Sequence, residues 1–428
     1  MKKRMYKIMA LAMTAAMVVP MAAQTTAFAA DDKEITYWNI AVESPDKDIV
    51  TAAVDKFNKE TESGYTVNQV SIQNDTYKEK LVIAMSSGEC PDMYSSWSGG
   101  PMYEYIDSGF AQPIDDLLAQ SDIKDKLLDA AIEQGSYNGH VYAIPYLNVS
   151  LAGIFYNKDM FEQYGLEEPK TLADLENICA TLKENGITPF ALANGSKWTG
   201  SMYFMSLAAR YGGLEPFQNA VAGTGKFTDD CFIKAGEKIQ EWVNNGYFPD
   251  GVNSLSEDDG QAKQLMYQET AGMLLCGSWY TGTFQSDSEE FYQKIGWFPF
   301  PAIDGSDADP TIQIGTVGDQ FISFNCEGDK LAAAFECAED HLSDEVADIT
   351  YSNNKIVPVK DAGDHITDPV VKEIFDAAQE ASSIQLWYDQ YLPTSVASAH
   401  LDGLQEVFGL TKTPQEAQEE MQTAMDEY

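Results

Sequence analysis

"GHVYAIPYLNVSLAGIFYNKDMFEQYGLEEPKTLADL", residues 139–175, sets two short apolar runs one after the other and then the start of a helix. "VYAIPY" and "LAGIFYN" have the length and β-branched or aromatic content of buried strands. "TLADLENICATLKENG" has helical spacing, and "ITPFALAN" reads as strand again. Outward from this stretch the alternation continues on both sides. "ITYWNIAV", "YTVNQVSI" and "PDMYSSW" are strand-like, separated by "DIVTAAVDKFNKE" and "YKEKLVIAMSSG", whose apolar residues recur at helical spacing. "IKAGEKIQEWVNNG" is a helix that buries Trp242, and "IGWFPFPAI" and "DQFISFNC" are strands. "KLAAAFECAEDHL" is a further helix, and from Ser343 onward the pattern is nearly all helical. Strands alternating with helices predict an α/β protein with mainly parallel sheets.

The first residues are of another kind. Lys2, Lys3, Arg4 and Lys7 precede an apolar run from Ile8 to Val19, and Ala27-Phe28-Ala29 offers a small-residue cleavage site. This is the pattern of a secretory signal peptide over residues 1–29, too short for a comfortable membrane span. It contains no cysteine, so a lipid anchor on an N-terminal Cys is not expected, and the mature chain is expected to be exported, extracellular or periplasmic. The roughly 400 residues that remain are enough for two domains. Acidic residues number 67 against 27 basic, for a net charge of -40, which repels nucleic acid and anionic lipid and excludes nucleic acid as a partner. None of the six cysteines forms a C-x-x-C pair; Cys326 and Cys337 are nearest in sequence, and a disulfide is left open.

Residues 139–175 closely resemble the central signature of bacterial extracellular solute-binding proteins that serve sugar ABC importers, the maltodextrin-binding-like family 1. Four further places agree in order: "YWN" in the first strand, "SSGECPDMYSSW" at the third, "AGMLLCGSW" later, and the Trp387 region followed by "TPQEAQEEMQ". The resemblance implies a two-lobed periplasmic-binding-protein-like fold of type II, with a ligand cleft between lobes joined by crossing strands. The N-lobe would comprise 31–147 plus 298–343 and the C-lobe 148–297 plus 344–428. It further implies a monomer that takes a mono- or oligosaccharide and hands it to a membrane ABC permease, with no cofactor, no metal and no catalysis.

A sugar ring has apolar C–H faces and a rim of hydroxyls, so its site needs aromatic walls and a few oriented polar groups. In "MLLCGSWYTG", residues 273–282, an apolar strand is stopped by Gly-Ser and followed by Trp279 where a loop is expected. Trp279 resembles the family's Gly-x-Trp element, and strand C-termini are where open α/β sheets bind ligands. Trp387 resembles the family's late tryptophan. Trp198, in the polar "NGSKWTGS", and Trp97, before Ser98-Gly99-Gly100, are further candidate walls. Trp242, Trp38 and Trp297 read as core. For the polar rim the candidates are Glu43 and Asn39, after the first strand, and Asp319 in "GTVGDQF"; Tyr146, at the crossing, either reaches ligand or packs the hinge.

The four histidines are scattered, with no metal-ligand spacing, and "AIDGSDADP" lacks the glutamate and glycine spacing of a calcium loop. An exported glycosidase also needs aromatic walls and two acids, but acid pairs carry no information in so acidic a chain. A binder of a peptide or polyamine is the other alternative.

Overall fold

In the computed structural model, which describes residues 33–428, these segments gather into two sheets, each with its own core. The expected signal peptide lies outside the described residues. The first sheet begins with β1 (Glu34–Asn39), β2 (Thr66–Ser71) and β3 (Met93–Ser96), linked by helices Asp46–Glu60 and Asn74–Ser87. β1 pairs in parallel with both β2 and β3. A small hairpin of β4 (Ser136–Tyr137) and β5 (His140–Val141) precedes β6 (Ala143–Leu147). The chain then enters the second sheet through β7 (Ser150–Asn157), followed by β8 (Thr188–Phe190), β9 (Ala271–Gly277), β10 (Ile295–Phe298) and β11 (Gln313–Thr316). β12 (Gln320–Phe324) returns to the first sheet, and β13 (Ile384–Gln385) edges the second. The orders are β2-β1-β3-β12-β6 and β13-β11-β7-β9-β8, with β10 also on β7.

The sheets are mixed, not mainly parallel. β7 runs antiparallel to β9, β10 and β11, and β12 runs antiparallel to β3 and β6. Strands fed by crossover helices share one direction, whereas β7 and β12 arrive straight from the other sheet and enter from the opposite end. As a result the C-terminal ends of β1, β3, β9, β11 and β13 converge on the region between the sheets.

Leu147 packs in the first core and Val149 in the second, so one crossing lies between them. Phe298 pairs with Ile154 and packs in the second core with Phe300, Ile312 and Ile314. The return crossing therefore follows β11 instead of falling at 298. Val346 and Val357 pack in the first core and Ile356 and Ala362 in the second, so a third crossing runs through 346–362 along both cores. The crossings are bonded to one another. Asn148, at φ 44, accepts from the Ile356 N–H at 2.9 Å and donates to the Ser150 hydroxyl at 3.1 Å. The Asp319 N–H donates to the carbonyls of Leu147 and Asn148 at 2.9 and 2.7 Å.

All six cysteines are free thiols, five of them buried. No helix among the described residues is long and apolar enough to cross a membrane.

Candidate ligand-binding cleft

The converging strand ends border a cleft of about 690 Å³, solvent included. Trp279 enters it at the end of β9, where the register pairs Gly277 with Ala152 of β7. Gly277 is required by close approach: a β-carbon there would overlap the six-membered ring of Trp279, which folds back across the strand end. Ser278 anchors the turn, donating from its hydroxyl to the Val149 carbonyl at 3.1 Å and accepting from the Leu151 N–H at 3.3 Å. The expected loop is absent, because helix Tyr280–Asp287 begins directly after Trp279. The indole is thus held between a paired strand and a helix.

Trp279 stands between two other tryptophans. Its ring centroid is 6.0 Å from that of Trp198, with planes at 58°, and 6.0 Å from that of Trp387, with planes at 68°. Steeply inclined rings at this spacing build an aromatic box, not a stack filled by its own members. Trp198 is not in an exposed loop. It opens helix Trp198–Gly212, which is buried from Thr199 to Arg210, and Met202 and Met205 extend its cleft face at helical spacing. Trp387 is 2% exposed and caps the short helix Tyr388–Tyr391 behind β13. Its indole Nε1 has no hydrogen-bond partner among the described residues, a donor whose burial costs about 1–3 kcal/mol until an acceptor meets it. Trp97 closes the opposite wall from the end of β3, edge-on to Tyr77 at 6.0 Å and beneath Lys78, whose ammonium lies 4.9 Å from the ring centroid.

The charged groups of this end are mostly paired. Lys78 faces Asp389 at 3.6 Å, and the buried Lys355 meets Asp46 at 2.5 Å. Asp319 lines the cleft between them. Burial pushes its carboxyl up to about 7, with Lys355 opposing the shift and Asp46 adding to it. Gln320 beside it accepts from the Tyr146 hydroxyl at 2.8 Å and also lines the cleft.

Trp279, Trp387, Trp198, Trp97 and Asp319 therefore meet in one place. Asn39 and Tyr146 do not line it. Asn39 is fully buried and accepts from the Ala41 N–H and the Ser71 hydroxyl, which fixes the loop after β1. The Tyr146 hydroxyl is spent on Gln320 and Ser95 beneath the cleft, so it packs the hinge. Glu43 lies further along, at the exposed mouth of an adjoining compartment. Among the residues the sequence reading missed are Ile40, Lys78, Met202, Met205, Gln320 and Asp389. Met202 and Met205 carried a signal in their spacing from Trp198; Lys78 and Asp389 carried none, because they are neighbours only across the cleft. Among the described residues no cluster of His, Cys, Asp or Glu has the makings of a metal site.

Two sheets with strand ends turned to one tryptophan-lined cleft, joined by three bonded crossings, define a two-lobed α/β ligand-binding protein. The family model described as bacterial extracellular solute-binding protein matches residues 41–339, and the chain belongs to that family. An uncharacterized ABC transporter extracellular-binding protein of Pyrococcus horikoshii is 31% identical over 228 residues, 53% of this chain and 50% of the relative. The xylose/arabinose-binding protein XacG of Haloferax volcanii is 22% identical over 60% of this chain and 56% of its own length. A probable sugar-binding periplasmic protein of Rhizobium meliloti is 25% identical over 76% of this chain and 75% of its own. The chain thus spans only 50% and 56% of the length of the first two relatives. Among solved structures, one from work on xylan utilization by Caldanaerobius polysaccharolyticus superposes with TM-score 0.83 at 29% identity, covering 91% of this chain and 99% of that one. A chitin oligosaccharide binding protein matches the fold with TM-score 0.84 at 24% identity, covering 92% and 98%.

Proposed function

We propose that this protein captures a sugar or oligosaccharide in the cleft and delivers it to a membrane ABC permease, as an exported monomer without catalytic activity. The observation that carries this reading is the box of Trp198, Trp279 and Trp387, with Asp319, Gln320 and the Lys78–Asp389 pair at its rim. Indole faces cover the C–H faces of a pyranose, and Asp319 and Gln320 supply polar groups for its hydroxyls. The family assignment and the sugar-binding names of several relatives support the same reading.

Ligand that touches both lobes stabilises their closed arrangement, and the closed form is what a permease recognises. On this reading the lobes are 33–147 with 320–346, and 149–316 with 362–428, the segment between 346 and 362 running along both cores. Contacts of the closed kind are formed across the cleft: Trp198 Nε1 donates to Asp75 at 3.3 Å, and the Thr394 N–H and hydroxyl donate to Glu104 at 2.9 and 2.7 Å. Against a glycosidase stands the engagement of two of the cleft's acids, Asp46 and Asp389, with lysines. Calorimetric titration against mono- and oligosaccharides, with product analysis of the same samples, tests the proposal. Saturable binding with intact sugar, at micromolar affinity (about 8 kcal/mol), is expected. Cleaved sugar would make the protein an enzyme, and silence across the panel would leave a non-sugar solute.

A further inference from the structure

One seam between the two lobes is made of acids from both sides. Helix Asn74–Ser87 of the first lobe meets the second lobe at its first turn, and its own cap residue, Gln73, gives no side-chain bond to that turn. The bond comes from the other lobe. The Asp258 carboxylate accepts from the Asp75 N–H, and the Asp258 carbonyl accepts from the Gln73 side chain, both at 3.0 Å. Asp75 in turn takes the Trp198 indole N–H at 3.3 Å and the Asn74 amide at 3.0 Å on one carboxylate oxygen. Glu257, next to Asp258 in sequence, borders the chamber that adjoins the tryptophan box, facing Gln73 and Asn74 of the first lobe. Shutting the cleft therefore brings Asp75 up to Asp258 and Glu257.

The cations at the seam do not balance these carboxyls. Lys263 is shared between Asp287 at 2.9 Å and Glu43 at 3.3 Å, and Lys78 faces Asp389 at 3.6 Å. The other neighbours of Glu257 are Tyr280, whose hydroxyl donates to its carboxyl, and Ser196, whose hydroxyl accepts from its backbone N–H at 3.1 Å. The buried Tyr203 and Cys276 lie within electrostatic reach of Glu257, and Asp259 within that of Asp258. The lobes divide these influences. Tyr280 and Lys263, which favour a charged Glu257, belong to its own lobe and stay with it when the lobes part. Asp75 and the wall of Gln73 and Asn74, which disfavour that charge, come from the other lobe. Asp258 keeps a use for its charge in the shut arrangement, because it sits at a helix N-terminus; Glu257 has none.

We infer that closing the lobes takes up a proton at this seam, held by Glu257, so that the shut form is favoured in mildly acidic surroundings and opens as pH rises. The inference rests on the sugar-binding function proposed above only for its effect on affinity; the proton uptake belongs to the lobes themselves. In the shut arrangement burial pushes the Glu257 carboxyl up to about 7, with the Tyr280 hydroxyl and Lys263 opposing and Asp258 and Asp75 adding to the shift. Opened to water, it returns toward the ordinary glutamate value of about 4.3. Between those two values the shut form holds a proton that the open form lacks. Closure therefore weakens as pH rises through this range and levels off above about 7. By reciprocity, a sugar that shuts the lobes draws in the same proton.

The test uses the mature chain without ligand and with it. Small-angle scattering of the ligand-free protein is expected to give a smaller radius of gyration at about pH 5.5 than at about pH 8.5. Glu257→Gln, neutral like the protonated acid, is expected to keep the smaller value at both. The ligand probes are xylotriose, cellotriose, maltotriose and chitotriose. Whichever binds is expected to bind about fivefold more tightly at the acidic pH than at the alkaline one. Glu257→Gln is expected to bind at the alkaline pH as wild type does at the acidic one, a gain that misfolding does not imitate. Titration near pH 6.5 in buffers of different ionisation enthalpy is expected to show proton uptake in wild type, less in Asp75→Asn and none in Glu257→Gln. Uptake that survives in Glu257→Gln and vanishes in Asp319→Asn would overturn the inference, as would a radius and an affinity that do not change with pH; either leaves sugar binding intact. Failure of all four sugars to bind would remove the functional proposal, and the scattering alone would then decide this inference.

Discussion

The tryptophan box and the adjoining chamber bordered by Glu43 and Lys263 share Trp279 as a wall, yet they are held together by different forces. The box is built on buried framework: β9 paired to β7, a glycine that admits an indole, and Trp387 almost wholly out of water. The chamber is bordered by charges that range from the largely buried Lys263 to Glu43, 68% exposed. Apolar area removed from water contributes in proportion to its extent, whereas an exposed ion pair contributes little and is screened by salt. Affinity should therefore come mainly from the box, and the chamber's contribution should be smaller and sensitive to salt.

The largest expected effect is at the shared wall. Trp279→Ala should weaken sugar binding about 100-fold, near 3 kcal/mol, because it removes both stacking area and the support of the neighbouring rings. An affinity within threefold of wild type by calorimetry would break the contrast. Next is the framework beneath the box. Asn148→Ala strips the Ile356 N–H of its buried acceptor and puts alanine at positive φ, and should cost about 2 kcal/mol of stability in urea unfolding.

A smaller effect separates the ends by pH. The Asp319 carboxyl titrates in the folded protein near 7, above its unfolded value near 4. The stability it contributes is thus complete below about pH 4 and is lost as pH rises through about 7. Asp319→Asn removes this dependence, so the variant should melt about 2 °C above wild type at pH 8, with the gap closing toward pH 5. Equal melting temperatures at pH 8 would show that Lys355 already compensates the charge. The smallest effect belongs to the chamber's mouth, where Glu43→Gln should change stability by less than about 0.5 kcal/mol in low salt and not measurably in high salt.

Much of this arrangement was legible in the chain itself. The runs that became β6, β7 and β9 stand out because strands buried on both faces need apolar stretches, and β1 because its burial alternates along the strand. Trp279 was legible because a glycine, a serine and a tryptophan at the end of such a run have no purpose in a core. Trp198 was found for the wrong reason: its polar neighbours form a single turn, Asn194–Ser196, and the helix starts at the tryptophan itself. Asn39 and Tyr146 misled because a polar group next to a cleft and a polar group under it have the same local sequence. Only the hydrogen bonds tell them apart.

Local pattern determined the elements, the acidic surface and the family, because periodicity, turn chemistry and charge are properties of neighbours along the chain. The mixed direction of the sheets, the later return crossing after β11, and the meeting of Lys78 with Asp389 and of Trp198 with Asp75 were decided only in three dimensions. Each of these joins segments far apart in sequence. Such contacts depend on which sheet a strand enters and from which end, and no residue records that choice by itself.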